Sequence, residues 1–289
     1  MVIVGVGLIG GSVGLALRDR GRALRVVGVG RDPGRLDEAL RLGAIDEGTT
    51  DLARASAGAD VVVVCTPVDR IAADVVRAAG SSPAEALVTD AGSTKRAIVA
   101  AVESEAVAAG KFVAAHPIAG SERRGVEHAR ADLFEGRACI LTPTSRTPAG
   151  RLDRARAFWA GLGCRTSEVD PAAHDEALAR TSHLPHALAA ALAAVVGPDL
   201  VPMAAGAYRD GTRVAGADAS IWAPIFLENR RGVLDALDAF DAALGAFRAA
   251  LDAGDEAGIR AWWEDARRNR RAFDARNAPE AVASDGPGG

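Results

Sequence analysis

Val2-Ile3-Val4-Gly5-Val6-Gly7-Leu8-Ile9-Gly10-Gly11-Ser12 is the stretch whose reading decides the fold. A β-branched run, Val2 to Val6, leads into Gly-x-Gly-x-x-Gly at Gly5, Gly7 and Gly10, and a helical pattern from Ile9 to Arg20 follows. In this setting the first glycine permits a tight turn, the second lets backbone approach a pyrophosphate, and the third lets helix and strand pack closely. The free N–H groups where the helix begins, at Leu8 and Ile9, are placed to bind the anion. Alone the glycine pattern is weak. The strand before it, the helix after it and a second strand candidate at Arg25 to Val29 make it a dinucleotide-binding turn. Met1 runs straight into this first strand, which points to a start upstream of Met1.

About 20 residues past the last glycine, an Asp or Glu normally takes the ribose 2′-hydroxyl and repels a 2′-phosphate. Gly30 stands there, followed by Arg31 and Asp32. A small residue and a cation suit a phosphate, so NADP is favoured over NAD; Asp32 is the residue that could reverse this by taking the ribose.

Working outward, short apolar runs alternate with segments of helical length. The strand candidates are Asp60 to Cys65, Leu87 to Thr89, Phe112 to Ala115 and Ala138 to Leu141. Helical patterns occupy Pro33 to Leu42, Asp69 to Ala79, Thr94 to Ala109 and Arg151 to Leu162, with one more strand candidate at Arg165 to Val169. The expected class is α/β: a Rossmann-type, doubly wound, mostly parallel sheet with helices on both faces. From Pro171 the chain becomes Ala- and Leu-rich with helical periodicity, which predicts an all-helical second domain whose broad apolar faces suit homodimerisation. The predicted organisation is a dinucleotide-binding domain over 1–150, a helical substrate-binding and dimerisation domain over 151–277, and a frayed tail over 278–289.

The 289 residues are 49% hydrophobic and 25% charged, enough for a full core without metal or crosslinks. A net charge of -4 lacks the basic excess of a nucleic-acid binder and points to a small-molecule partner. The longest apolar stretch, Ala187 to Val196, is about half of the ~20 residues that a membrane-crossing helix needs, and no signal peptide is apparent. Three cysteines without CxxC spacing fit a reducing cytoplasm, and five histidines without zinc-ligand spacing predict no metal site.

Three groups of residues carry the chemistry. Thr66-Pro67 follows the buried run Val61 to Cys65 at the edge where ligands bind such sheets, with Thr66 read either as lining the cofactor or as a helix cap. Asp90-Ala91-Gly92-Ser93-Thr94-Lys95 follows the next strand candidate, and His116-Pro117-Ile118-Ala119-Gly120-Ser121-Glu122 the one after it. A histidine held there beside hydroxylated residues is suited to accept a proton near neutral pH.

Together these segments resemble the prephenate dehydrogenase family, which includes arogenate and cyclohexadienyl dehydrogenases. The similarity continues through Ile45-Asp46-Glu47-Gly48-Thr49-Thr50, Leu133-Phe134-Glu135-Gly136, Ser182-His183-Leu184-Pro185-His186, Asp210-Gly211-Thr212-Arg213, Ile221-Trp222 and Phe226-Leu227-Glu228-Asn229. The resemblance implies oxidation of prephenate, or its transaminated form arogenate, with loss of carbon dioxide, in tyrosine biosynthesis. It implies His116 as the base, with Ser93 bonded to both His116 and the substrate hydroxyl. Arg213 is implied to grip a substrate carboxylate, His183 and Ser121 to help hold the substrate, and Asp210 and Glu122 to position Arg213 or gate access. His128, His174 and His186 have no implied role and read as core or helix-surface residues; Trp222 reads as core filling. A β-hydroxyacid dehydrogenase, the nearest other enzyme, would need a lysine on the helical part, and no lysine follows Lys111. A non-catalytic dinucleotide-sensing regulator would have no use for His116, Ser93, His183 and Arg213 together.

Overall fold

The computed structural model describes residues 1–21, 25–120 and 123–277. Two compact units divide at Val233 and Leu234.

The first unit begins β1 (Val2–Val4), α1 (Leu8–Asp19), β2 (Val27–Val29), α2 (Pro33–Arg41), β3 (Glu47–Thr49), α3 (Leu52–Ser56), β4 (Val61–Val64), α4 (Val68–Ser81), β5 (Leu87–Asp90), α5 (Arg96–Glu103), α6 (Ala106–Ala109) and β6 (Phe112–Val113). All six strands are parallel, in the order β3-β2-β1-β4-β5-β6. The order reverses between β1 and β4, which opens a crevice at the carboxyl ends of the strands. Residue alternation sends Val2, Val4, Val62 and Val64 into a core with α4 and α5, and Ile3 and Val63 into a second core with α1. Both faces are thereby covered, as the uninterrupted valine runs require.

The expected strand Phe112 to Ala115 is in fact two. β6 ends at Val113, and β7 (Ala115–Pro117) belongs to a second sheet with β8 (Ala138–Leu141) and β9 (Arg165–Glu168). The break has a physical cause: the Ala115 N–H donates to the Asp90 carboxylate at 2.9 Å, instead of continuing the ladder to β5. α7 (Ala149–Gly161) packs on the first sheet, its buried Trp159 Nε1–H donating to Thr89 Oγ1 at 3.3 Å. The expected helix Thr94 to Ala109 is also divided, because Glu105 is extended between α5 and α6.

Sheet structure therefore runs to Glu168, past the expected boundary at 150. The helices that follow, α8 (Pro171–Leu178), α9 (Leu184–Val195), α10 (Gly206–Thr212) and α11 (Ala219–Glu228), lie in the same compact unit as the sheets. A π-helical turn, Ala179–His183, joins α8 to α9. α12 (Arg230–Asp252) starts in this unit and extends into the second, where it pairs with α13 (Glu256–Asn277) through a 4.9 Å contact of Phe247 with Trp262. The tail expected over 278–289 lies outside the described residues. Among the described residues no helix is long and apolar enough to cross a membrane.

α1 lies close to its neighbours because it lacks side chains where they touch. A methyl group at Gly14 would come within 1.9 Å of the Ala44 carbonyl oxygen, a backbone atom that cannot swing aside. Gly14→Ala is therefore expected to lower unfolding free energy by about 1–3 kcal/mol, the usual range for overpacking, in urea denaturation. Gly150→Ala, where nothing lies within 4 Å, is the control and should change it little.

Candidate active site

The glycine turn behaves as the motif requires. Gly5 has φ +88°, and a Cβ there would lie 2.8 Å from the Cys65 carbonyl oxygen; at Gly10 it would lie 2.2 Å from the Gly5 carbonyl oxygen. Gly7 is different: nothing stands within 4 Å of where its Cβ would be. Gly7 is also the N-cap of α1, with no side-chain cap and no acidic residue in the first turn, so the N–H groups from Leu8 and Ile9 onward face a space open to an anion. These residues fit the pyrophosphate of a dinucleotide.

Beyond β2, Gly30 is held by its N–H to the Thr49 carbonyl at 3.2 Å, and Arg31 is exposed. Asp32 caps α2, its Oδ1 accepting from the Gly34 and Arg35 N–H groups at 2.9 and 3.4 Å. Thr66 is not the helix cap. Its hydroxyl donates to buried Asp74 at 2.9 Å, and Pro67 occupies the cap position of α4 without a side-chain cap.

At the end of β5, Asp90 is wholly buried and ion-paired to wholly buried Lys95. One Asp90 oxygen takes the Gly92 N–H and the other takes the Ala115 N–H, both at 2.9 Å. The residue after Ala115 is His116, which is thus set in strand β7, opposite Ile140. Its Nδ1 lies 2.9 Å from Nε2 of His174, and His174 Nδ1 lies 2.8 Å from Oδ1 of Asp175. The expected bond from Ser93 to His116 is not formed: Nδ1 is taken by His174, and half-buried Ser93 lies in the loop after β5. His174, expected to be a plain core or surface residue, is instead the partner of the candidate base. It sits one turn into α8, whose start is defined by Pro171 and by Asp170 accepting from the Ala172 and Ala173 N–H groups.

Asp175 also caps α5 from across the site, accepting the Lys95 and Arg96 N–H groups at 2.8 and 2.9 Å. Its carbonyl receives Asn229 Nδ2 at 2.6 Å, and the same Nδ2 lies 3.1 Å from Nδ1 of His183. The π-helical turn buries His183 to 1% exposure, and its Nε2 has no hydrogen-bond partner. π-helical turns of this kind recur at functional sites. His186 stacks on Trp222 with ring centroids 3.6 Å apart, and Trp222 packs against the core formed with α4 and α5, as its reading as core filling expects. The exposed Arg213 is close enough to hold the His186 pKa down, adding to the larger effect of burial.

Burial, followed by His174, Lys95 and His183, holds the His116 pKa well below the usual 6.5. Burial likewise lowers that of His183 to about 4, against an opposing pull from Asp175. Both rings are neutral at pH 7. Asp210 pairs with its neighbour Arg209 at 3.1 Å. Asp218 pairs with Arg124. Ser121 and Glu122 lie outside the described residues. His174 and Asp175 were missed as site residues, their adjacency being the local signal, while Asp90, Lys95 and Asn229 stood in the segments singled out above without a role of their own.

The chain matches the family model for the prephenate dehydrogenase nucleotide-binding domain over residues 13–168, and that for the prephenate dehydrogenase dimerization domain over residues 170–264. It is 33% identical to a prephenate dehydrogenase of Bacillus subtilis over 82% of this chain and 66% of that protein. It is 31% identical to a cyclohexadienyl dehydrogenase of Zymomonas mobilis, over 88% of this chain and 89% of that one. Among solved structures, the prephenate dehydrogenase of A. aeolicus in complex with hydroxyphenyl propionate and NAD+ superposes with a TM-score of 0.89 at 33% identity, covering 94% of this chain and 97% of that one.

Two measurements check this geometry. Gly7→Ala should leave the thermal midpoint unchanged while weakening dinucleotide binding at least tenfold by calorimetry, because the methyl group would enter only the open space beside α1. For acid stability the sign follows from the lowered His183 pKa: the unfolded chain binds a proton below pH 6.5 that the native state refuses until about 4. Stability therefore falls with pH across that window, by about 2 kcal/mol at pH 5 from this residue. His183→Gln should flatten the urea midpoint between pH 7 and 5 by that amount.

Proposed function

The chain belongs to the prephenate dehydrogenase family, and from that premise we propose that it oxidises and decarboxylates prephenate or arogenate in tyrosine biosynthesis. The observation that carries this reading is His116: a histidine kept neutral, with one nitrogen anchored, in the strand that directly follows β6 of the six-stranded sheet. A bound nicotinamide dinucleotide would supply the hydride acceptor, held at Gly5, Gly7 and Gly10 with its pyrophosphate on the amides at Leu8 and Ile9.

His116 Nε2 takes the proton of the ring hydroxyl as the carbon bearing it is oxidised to a carbonyl. The bond between the ring and its carboxylate then breaks, carbon dioxide leaves, and the bonding pair completes an aromatic ring. Ser93, half-buried in the loop after β5, donates to the substrate oxygen. His183 offers its buried Nε2 to the substrate, and Arg213 grips a carboxylate through a bidentate guanidinium. Trp222 and His186 form an apolar stacked wall beside Arg213.

For the cofactor we favour NADP. Gly30 presents no acidic side chain, Arg31 is exposed, and Asp32 is engaged in capping α2 instead of waiting for a ribose. The helical part from 151 to 277 is read as substrate-binding and dimerising, with the protein working as a homodimer in the cytoplasm. Exposed Leu244, Leu251 and Trp263 on α12 and α13 support the dimer, and three free cysteines support a reducing compartment.

The test is formation of reduced nicotinamide with prephenate and with arogenate, each crossed with NAD and NADP. Turnover is expected with at least one substrate, and faster with NADP. His116→Asn should lower kcat on the order of a thousandfold with KM little changed. Arg213→Ala should chiefly raise KM, by about 10- to 100-fold, because a remote carboxylate grip acts on ground and transition states alike. No reduced cofactor with either substrate would overturn the reading.

A further inference from the structure

The reaction proposed above, on which this inference rests, asks opposite things of two histidines. His116 must present a lone pair, and His183 is useful to an anionic or carbonyl-bearing substrate only as an N–H donor. A neutral imidazole can carry its proton on either nitrogen, and what fixes the choice is the partner of the other nitrogen. We propose that Asp175 sets both rings, through His174 on one side and Asn229 on the other, in complementary states that face the substrate as acceptor and donor.

The chain of bonds is read from groups that can act in one sense only. The Asp175 carboxylate is an acceptor: it already takes two backbone N–H groups, from Lys95 and Arg96. The His174 Nδ1 at 2.8 Å from that carboxylate must then carry the hydrogen and donate it. In the neutral ring this leaves His174 Nε2 as a lone pair, so across the 2.9 Å contact His116 Nδ1–H is the donor. His116 is thereby held as the Nδ1–H tautomer, with Nε2 bare, the form a general base needs.

On the other side the Asp175 carbonyl is again an acceptor only, so the Asn229 atom 2.6 Å from it is the amide nitrogen. That nitrogen has a second hydrogen, which points to His183 Nδ1 at 3.1 Å. His183 Nδ1 is thus the acceptor and Nε2 carries the hydrogen. Nε2 is the buried ring nitrogen with no partner. A buried N–H without an acceptor is costly, and a ligand oxygen relieves it.

One residue therefore serves three elements: it caps α5, directs the base in β7, and orients the donor in the π-helical turn. When His116 takes the substrate proton, its Nδ1–H remains on His174, and the imidazolium is stabilised across that bond by the Asp175 carboxylate. No second proton transfer is needed. The charged and titratable groups facing His116 are His174, His183 and Lys95 with its partner Asp90; those facing His183 are Asp175, His174 and His186.

The direct test is read on the protein with its network intact. Protein labelled with 15N-histidine, in the absence of substrate and above pH 7, reports which nitrogen of each of the five rings is protonated, with single His→Gln variants assigning the signals. His116 is expected as Nδ1–H and His183 as Nε2–H; either ring in the other tautomer overturns the proposal. The spectrum is independent of turnover, so an enzyme inactive on both substrates would refute the assigned reaction without deciding the tautomers.

Kinetics supply the second arm. His174→Phe should lower kcat on the order of a hundredfold or more, as loss of the orienting partner does in other histidine bases, with KM within threefold. His174→Gln, which restores an acceptor oxygen, should recover part of that loss. Asn229→Ala should raise KM about tenfold with kcat nearly unchanged, since it loosens the donor and not the base. Parallel loss of kcat and rise of KM in both variants, with wild-type tautomers retained in the spectrum, would mean that the network only holds the fold and would also overturn the proposal.

Discussion

The buried pair of Asp90 and Lys95 is the interaction on which the site depends. Neither side chain has any exposure, and the carboxylate is shared among an ammonium and two backbone N–H groups. Such a pair is a poor source of net stability, because desolvation consumes most of the attraction. Removing one partner is nevertheless severe, about 3–5 kcal/mol, since a bare charge is left behind. What the pair supplies here is direction. By taking the Ala115 N–H, Asp90 draws the chain out of the six-stranded sheet and starts a second one, and His116 is the next residue. The base is therefore aimed by a bond to its neighbour in the backbone and by a second bond to its own ring from His174.

Burial does the rest of the chemical work. An imidazole in water is half protonated near pH 6.5 and would be a weak base for much of the time in mildly acidic conditions. Enclosing His116 and His183 among other nitrogen-bearing groups makes the cationic form expensive, so both are ready as neutral rings. The acidic groups nearby are not placed to reverse this: Asp90 is engaged by Lys95, and Asp175 is engaged by two amides and His174. Negative charge at the site is thus engaged by Lys95, by backbone amides and by His174, and Arg213 lies exposed on the side of His186.

Much of this architecture was legible from residue order. The valine runs and the glycine turn need only local rules, and they yield the parallel sheet and the turn between β1 and α1. What escaped were features that exist only through contacts distant in sequence. β3 is a strand despite the unpromising Glu47-Gly48-Thr49, because the parallel ladder to β2 holds it. The division at Ala114 depends on the bond of the Ala115 N–H to a carboxylate 25 residues before it. His174 looked like a first-turn residue of α8, which it is; its partner in β7, 58 residues away, gives it a function. Thr66 carried two plausible local readings, and its bond to Asp74, eight residues on, displaced the helix cap.

The account stands on His116 as the group that meets the reacting hydroxyl. A crystal structure of the protein with oxidised dinucleotide and a para-hydroxyphenyl carboxylic acid, the shape of the aromatic product, tests this most directly. The account predicts the phenol oxygen within hydrogen-bond distance of His116 Nε2, the nicotinamide stacked against the same ring, and the carboxylate on Arg213. A ligand bound in this crevice with its phenol oxygen turned away from His116 would contradict it.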